Sequence, residues 1–320
     1  MSFRAAIIDL GTNTFHILIF EWEGNQYKVL HKLQIPVKLG KGAFGTHTIK
    51  EDAYSRGIAA MIEFKTIIEQ YKLAKIEVYG TSVLRNASNG AAFAKECESI
   101  INAPVHIIDG NREAEMIYAG VKRSVPLGRE PHLIMDIGGG SVEFIIADEK
   151  TIFWRKSYEI GAARLIENFV VSDPMEDKSI HELEDFLEKE LNALWTKTSK
   201  YQVSTLVGAS GSFESLSSME MEIYHSNSQS EHFLHHIVDM HHFEEIYHKV
   251  ITSTQEELLR IPGLPAFRVE MMSVAFILMH YIIHRAQLKK MITSDYALKE
   301  GVMFTLMQEP LPVVRDLKIQ

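Results

Sequence analysis

Two aspartates, each placed between an apolar run and a glycine-containing turn, are the residues whose chemistry stands out first. Asp136 precedes three consecutive glycines at 138–140, and Glu143 follows them at the start of the next apolar run. Without a Cβ in the way, backbone N–H groups in such a turn can close around an anion. Carboxylate oxygens are ligands suited to Mg²⁺. The stretch predicts a site for a phosphate group and its metal, against the alternative of a simple hairpin with two solvated carboxylates.

The same arrangement occurs a second time, which favours the phosphate site over the simple hairpin. Asp9 heads a turn that contains Gly11, and it lies 127 positions before Asp136. Gly80 and Gly208, each at the end of a strand-like run, lie 128 positions apart. The two pairs of residues are separated by nearly the same number of positions, and this indicates an internal duplication.

The elements that must hold these turns follow one order in both halves. Three strands lead to helices, then to a further strand and helix, which predicts an α/β fold of two lobes. Each lobe is expected to contain a mixed five-stranded sheet flanked by helices, with the two turns facing each other across a cleft. The predicted boundaries are 1–125 for the first lobe, 126–300 for the second with a helical insertion at about 212–288, and 301–320 for a C-terminal helix and tail that returns to the first lobe.

Composition and charge narrow the class of protein. The 320-residue chain is 46% apolar, carries a formal net charge of −9 and contains one cysteine. These values argue against general nucleic-acid affinity and against a disulfide framework. The apolar run 269–283 is interrupted by Glu270 and His280, which predicts a buried helix rather than a membrane span. Because no leader-like segment is visible, we expect a cytoplasmic protein with no membrane or nucleic-acid partner.

Together, the motifs resemble those of the exopolyphosphatase/guanosine-pentaphosphate phosphatase (Ppx/GppA) family, within the superfamily of actin, heat-shock ATPases and sugar kinases. The sequences DLGTNTFH at 9–16 and DIGGGS at 136–141 look like the paired phosphate loops of that superfamily. Further matching segments follow the family's order at 80–89, 108–114, 161–165, 173–174, 208–211, 294–295 and 300–301. The resemblance implies two ribonuclease H-like lobes of the actin-like ATPase fold, in a short two-domain form.

The resemblance also implies a reaction, the Mg²⁺-dependent hydrolysis of a terminal phosphoanhydride in polyphosphate, in guanosine pentaphosphate, or in both. Such a reaction needs a group that orients water and positive charge near the transferred phosphoryl group. By resemblance, Glu113 is the base that activates water, in the first turn of a helix whose predicted N-cap is Asn111. Arg85 is the candidate to clamp a phosphate oxygen. From sequence alone, Glu113 could instead only favour its helix N-terminus, and Arg85 could be an ordinary exposed arginine.

The remaining site residues are expected to bind the metal and the phosphates. Asp136 and Glu143 are expected to hold Mg²⁺, with Asp9 as an indirect helper. Donors to the phosphates are expected from both turns and from a third segment at a helix N-terminus. These donors are Gly11, Thr12, Asn13, Gly138, Gly139, Gly140, Ser141, Gly208, Ser210 and Gly211.

Several departures from the family keep other functions open. Members often continue into a helical HD-type domain, which we expect this protein to lack, and this favours the alternative of a sensor that binds polyphosphate or an alarmone without turnover. Val274 and Ala275 stand where the family often has two glycines, Tyr296 where a glycine is common, and Lys299 where an arginine is. Their bulk is expected to crowd a base-binding surface, which weakens a further alternative, a small-molecule kinase of the same superfamily.

Three patterns are given no part in the chemistry. Lys38, Lys41 and Arg268 could line the substrate path but are interpreted as solvated charges. The histidine-rich stretch 232–248 is interpreted as lacking a zinc site, because adjacent histidines point about 100° apart on a helix and no cysteine completes a ligand set. Helices predicted at 177–198 and 267–286 permit a homodimer without requiring one.

Overall fold

The computed structural model describes residues 3–23, 26–170, 172–225 and 234–307, and the backbone of 313–314. The first half contains five strands and four helices within these ranges. Its strands are β1 (Phe3–Leu10), β2 (Phe15–Glu23), β3 (Gln26–Ile35), β4 (Lys75–Gly80) and β5 (Val105–Ile107). Its helices are α1 (Glu51–Ile68), α2 (Ser82–Asn86), α3 (Gly90–Ile101) and α4 (Gly110–Ser124).

The second half repeats this order and adds to it. Its strands are β6 (His132–Ile137), β7 (Val142–Ala147), β8 (Thr151–Tyr158), β9 (Thr205–Ala209), β10 (His235–Val238), β11 (Lys290–Ser294) and β12 (Val313–Val314). Its helices are α5 (Ala162–Phe169), α6 (Asp177–Glu190), α7 (Asn192–Lys200), α8 (Gly211–Tyr224), α9 (Met240–Thr252), α10 (Gln255–Leu258), α11 (Val269–Arg285) and α12 (Leu298–Leu306).

The two sheets confirm the duplication. The first has the order β3-β2-β1-β4-β5, and the second contains the same pattern as β8-β7-β6-β9-β11. In both sheets, the first three strands along the chain pair with one another antiparallel. The two later strands of this pattern join the sheet parallel to their neighbours. The expected five strands are therefore correct for the first lobe only. The second sheet has seven described strands, because β10 joins β11 antiparallel and β12 joins β8 parallel.

A pair of helices between the two sheets joins the lobes. Helix α4 of the first half packs against β7 and β8, whereas α12 packs against β1 and against α4. Each helix therefore covers the sheet of the other half, and one apolar cluster includes Ile7, Ile117, Ile145 and Val302. Packing between the two sheets buries α12 continuously from Leu298 to Phe304, whereas α4 keeps an exposed polar side.

The segment between β9 and β11 contains the extra helices of the second lobe. Helix α11 buries Phe276, Leu278 and Ile282 in the core of that lobe, as the interrupted apolar run predicted. A single helix over 177–198 is wrong, since α6 ends at Glu190 and α7 begins at Asn192. Leu191, fully buried between them, makes this break part of the core.

Candidate active site

The second glycine-rich turn connects β6 to β7, and the strand register determines where its carboxylates lie. Asp136 is directly opposite Glu143 in the antiparallel pair, so both side chains project from the same face. In the first lobe Asp9 is opposite His16. His16 thus occupies the position that corresponds to Glu143, with the same offset of 127 residues. The duplication preserves the aspartate and replaces the second carboxylate by an imidazole.

The two turns approach each other closely across the cleft. A Cβ added to Gly139 would lie 3.1 Å from the Cβ of Asn13 and 3.3 Å from that of Thr12. A Cβ on Gly140 would lie 2.6 Å from the hydroxyl oxygens of Thr12 and Ser82. Glycine is required here because larger side chains would fill the space between the lobes. The facing arrangement expected from the duplication is therefore present.

The third predicted segment contributes two of its three residues to the cleft. Ser210 adopts a φ of 69°, and its hydroxyl donates to Asp136 Oδ2 at 2.6 Å. Gly211 lies beside the guanidinium of Arg268, which a Cβ would approach to 2.5 Å. Gly208, however, does not line the cleft. It is buried in β9 with the ring of Phe213 over its Cα, so its small size serves packing rather than phosphate binding.

Glu113 lies in the first turn of α4, as the sequence predicts, but Asp109 rather than Asn111 caps the helix. The Asp109 carboxylate accepts from the backbone N–H groups of residues 111 and 112, both at 2.9 Å. Arg85 Nη1 donates to Glu113 Oε2 at 3.0 Å and to the carbonyl oxygen of Ile108 at 2.7 Å. Arg85 is therefore no exposed loop arginine, because it holds the carboxylate of Glu113 in place.

Four buried carboxylates share this cleft, and burial opposes their ionisation. Burial raises the pKa of Asp9 to about 7 and that of Asp136 to about 6. Burial also raises the pKa of Glu143 and Glu113, and the next cause for each is a neighbouring carboxylate, Asp136 for Glu143 and Glu143 for Glu113. Neighbouring buried carboxylates take up a proton unless a cation compensates their charge. The Lys299 ammonium opposes the shift of Asp9 and Asp136.

The donor set fits a hard divalent cation. Asp9 Oδ1 and Thr12 Oγ1 are buried and have no hydrogen-bond partner within the described part of the chain. Glu143, 1% exposed, accepts from Ser157 Oγ at 2.6 Å and keeps a second oxygen. Carboxylate and hydroxyl oxygens with spare acceptor capacity are ligands for Mg²⁺. The residues that would hold such an ion are Asp136 and Glu143, with Asp9 beside them.

Several cleft residues were missed or misjudged from sequence. Arg268, interpreted as a solvated charge, is 7% exposed, lines the cleft and donates to Glu214 at 2.7 Å. Lys299 is also buried in the lining. Lys38 is half-buried and pairs with Glu270 of the second lobe. The sequence does contain a signal for Arg268, because this residue stands at the start of an apolar helix. A charged side chain in such a position is close to residues of the core and can be expected to be buried.

Of the four positions expected to crowd a base-binding surface, only Lys299 lines the cleft. Val274 and Ala275 are buried in the core of the second lobe and do not line the cleft. The Tyr296 hydroxyl pairs with that of Tyr27 at 2.6 Å. Met271 and Met272 of α11 line the cleft instead. The crowding expectation therefore has no support at these three positions.

Two duplicated lobes with facing glycine-containing turns and buried carboxylates define a protein of the actin-like ATPase fold. The comparison of sequences is more specific. The chain belongs to the Ppx/GppA phosphatase family, whose family model matches residues 18–309. The protein is thus a phosphatase hydrolase by family.

Individual relatives agree over nearly the whole chain. A crystal structure of an exopolyphosphatase from Cytophaga hutchinsonii is 33% identical, with a TM-score of 0.92, over 95% of this chain and 98% of that one. A Haemophilus influenzae protein assigned as an exopolyphosphatase is 26% identical over 302 residues, which is 94% of this chain and 90% of that protein. An Aquifex aeolicus member of the Ppx/GppA family is 22% identical, covers 96% of this chain and 98% of its own, and shares the fold with a TM-score of 0.78.

Proposed function

We propose that this protein releases orthophosphate from the end of polyphosphate, from guanosine pentaphosphate, or from both, with Glu113 activating the attacking water. One observation carries the proposal. Glu113 lines the same cleft as Asp136 and the two facing turns, and Arg85 holds its carboxylate there. Exopolyphosphatase relatives support polyphosphate as the substrate class.

The reaction assigns one task to each group. Backbone N–H groups of the turns at 11–13 and 138–141 bind the oxygens of the terminal phosphates. Glu113 accepts a proton from a water molecule whose oxygen attacks the terminal phosphorus atom. The bond from that phosphorus to the bridging oxygen breaks, and the shortened phosphate chain leaves with the electron pair. Arg85 Nη2 is buried, makes no hydrogen bond among the described residues and lies 3.5 Å from Glu159 Oε1, so it can turn from this ion pair to the transferred phosphoryl group.

A magnesium ion held by Asp136 and Glu143 would, when bound, neutralise negative charge on the phosphate oxygens. The chain's own residues prepare for such an ion in two ways. Ser210 and Ser157 each donate a hydrogen bond to one of the two carboxylates and thereby orient it. Asp9, on the opposite turn, adds a further carboxylate with an unpaired oxygen.

The decisive experiment is a side-by-side assay of phosphate release from short polyphosphate, long polyphosphate and guanosine pentaphosphate, each with Mg²⁺. Release from one or more of them is the expected result, and the relative kcat/KM values assign the substrate. Tight binding of all three without release would instead favour a polyphosphate or alarmone sensor. Nucleotide-dependent phosphorylation of a small acceptor would favour a kinase.

A further inference from the structure

A cluster of nitrogen and oxygen donors lies outside the cleft, between α9 and α11. On α9, Glu244 and His248 are separated by four positions, and on α11, His280 and His284 have the same spacing. Residues four apart lie on one face of a helix. The packing of α9 against α11 brings the two pairs together, although they are far apart in sequence.

The distances within this cluster fit direct coordination. Glu244 Oε1 lies 3.0 Å from His284 Nε2, and Glu244 Oε2 lies 3.3 Å from His280 Nε2. One ligand atom from each of the three residues lies within 4.8 Å of the other two. Bonds of about 2.0–2.2 Å to a tetrahedral zinc ion place its ligand atoms roughly 3.3 Å apart. The two carboxylate–imidazole separations lie close to that value, each with a different oxygen of Glu244, and the ligand atoms of all three residues lie within 4.8 Å of one another.

One of the two imidazoles, that of His280, is held in a fixed orientation. The ring of Tyr247 stacks on that of His280 at 3.8 Å with an interplanar angle of 4°, which holds its orientation. Burial lowers the pKa of His280, and the charge of His284 lowers it further. His284 is exposed, which leaves an entry path from solvent.

The neighbouring residues add a possible fourth ligand and argue for zinc over Mg²⁺. His248 follows Glu244 by one helical turn, and its charge also affects His280. Two imidazoles with one carboxylate suit zinc and similar transition metals, whereas Mg²⁺ prefers oxygen ligands alone. This set therefore differs in kind from the carboxylates of the cleft.

We propose that Glu244, His280 and His284 form a zinc site that links α9 to α11, with water or His248 in the fourth position. Helix α11 carries Met271 and Met272 into the cleft at its other end. The site would stabilise the inserted helices of the second lobe without taking part in the reaction.

The test uses the full chain stripped of metal and titrated with Zn²⁺ by calorimetry and with Co²⁺ by visible absorption. We expect one tetrahedral site whose affinity falls at least about tenfold in His280→Gln/His284→Gln and in Glu244→Gln. His241→Gln is the matched control, because His241 pairs at 3.4 Å with Glu245 on α9 and is exposed. His242→Gln controls for a second histidine group around Glu220, and Asp136→Asn controls for the cleft.

Retained binding in all three controls and loss in the cluster variants supports the site. Unchanged zinc affinity in His280→Gln/His284→Gln, or no zinc binding by the wild type, would overturn it. Because the double variant could fail to fold, circular dichroism accompanies each titration, and Glu244→Gln provides an independent variant. Zinc should also raise the unfolding temperature of the wild type but not that of the folded cluster variants.

Discussion

Arg85 Nη1 bridges Glu113 Oε2 at 3.0 Å and the carbonyl oxygen of Ile108 at 2.7 Å, so the arginine connects the first turn of α4 to the end of β5. The Asp109 cap positions the helix terminus itself. The residue pair thereby aims Glu113 into the cleft between the lobes. This relationship makes the proposed role of Glu113 testable separately from the proposed roles of Asp136 and Glu143.

Glu113→Gln is expected to lower kcat by roughly 10²–10⁴-fold, because an amide cannot take a proton from water. Substrate affinity should change little, since the phosphates bind to backbone donors. The measurement is steady-state phosphate release. Glu115→Gln on the same helix is the control, as Glu115 pairs with Arg112 and Arg155 instead. Equal activity of Glu113→Gln and wild type would remove Glu113 as the base.

Arg85→Ala is expected to destabilise the protein by roughly 1–3 kcal/mol, because it leaves a buried carboxyl group without its hydrogen bond. The double variant Arg85→Ala/Glu113→Gln should lose less than the sum of the two single variants, since the two side chains are in contact. Urea unfolding of the four proteins measures the coupling. Strict additivity would mean that the 3.0 Å pair contributes nothing to folding.

Gly301→Ala should disrupt the contact between α12 and α4. A Cβ at Gly301 would lie 1.7 Å from the carbonyl oxygen of Met116, and backbone atoms cannot move aside cheaply. We expect a loss of about 3 kcal/mol or more, the upper end of overpacking costs. Gly45→Ala is the control, because a Cβ there meets no atom within 4 Å. Thermal unfolding compares the two, and equal midpoints would refute the close packing.

Glu214 is expected to contribute stability that depends on pH. Burial raises its pKa, but the charges of Arg268 and Lys299 outweigh burial and lower the pKa to about 2. A carboxyl whose folded pKa lies below its unfolded value stabilises the fold above the unfolded value, near 4.5, and loses that contribution as pH falls toward 2. Glu214→Gln should therefore be less stable than wild type at pH 7, and the difference should shrink below pH 4.5. A difference independent of pH would contradict this assignment.

Mg²⁺ should stabilise the wild type more than it stabilises Glu143→Gln. Neutralising one of the buried carboxylates relieves repulsion with Asp136, so the metal-free variant should unfold at a higher temperature than the metal-free wild type. Mg²⁺ at about 100 times its Kd should stabilise the wild type by about 2.7 kcal/mol and the variant by much less. Unfolding scans with EDTA and with Mg²⁺ measure both. A wild type indifferent to Mg²⁺ would argue against the cleft as a metal site.

The sequence by itself determined the local parts of this site. Turn chemistry and strand patterning placed Asp136 and Glu143 on the two sides of one turn, and the shared offset predicted the facing turn at Asp9. The first-turn position of Glu113 also followed from sequence. These features depend on interactions within a few residues, or on a repeat that the chain displays directly.

Only the tertiary structure decided which side chains meet across elements. Arg268 is buried against Glu214, and Gly208 lies beneath Phe213 instead of facing a phosphate. Glu244 meets His280 because α9 and α11 happen to pack at that register. Such contacts join residues far apart in the chain, and they depend on the packing of whole elements, which no local pattern specifies.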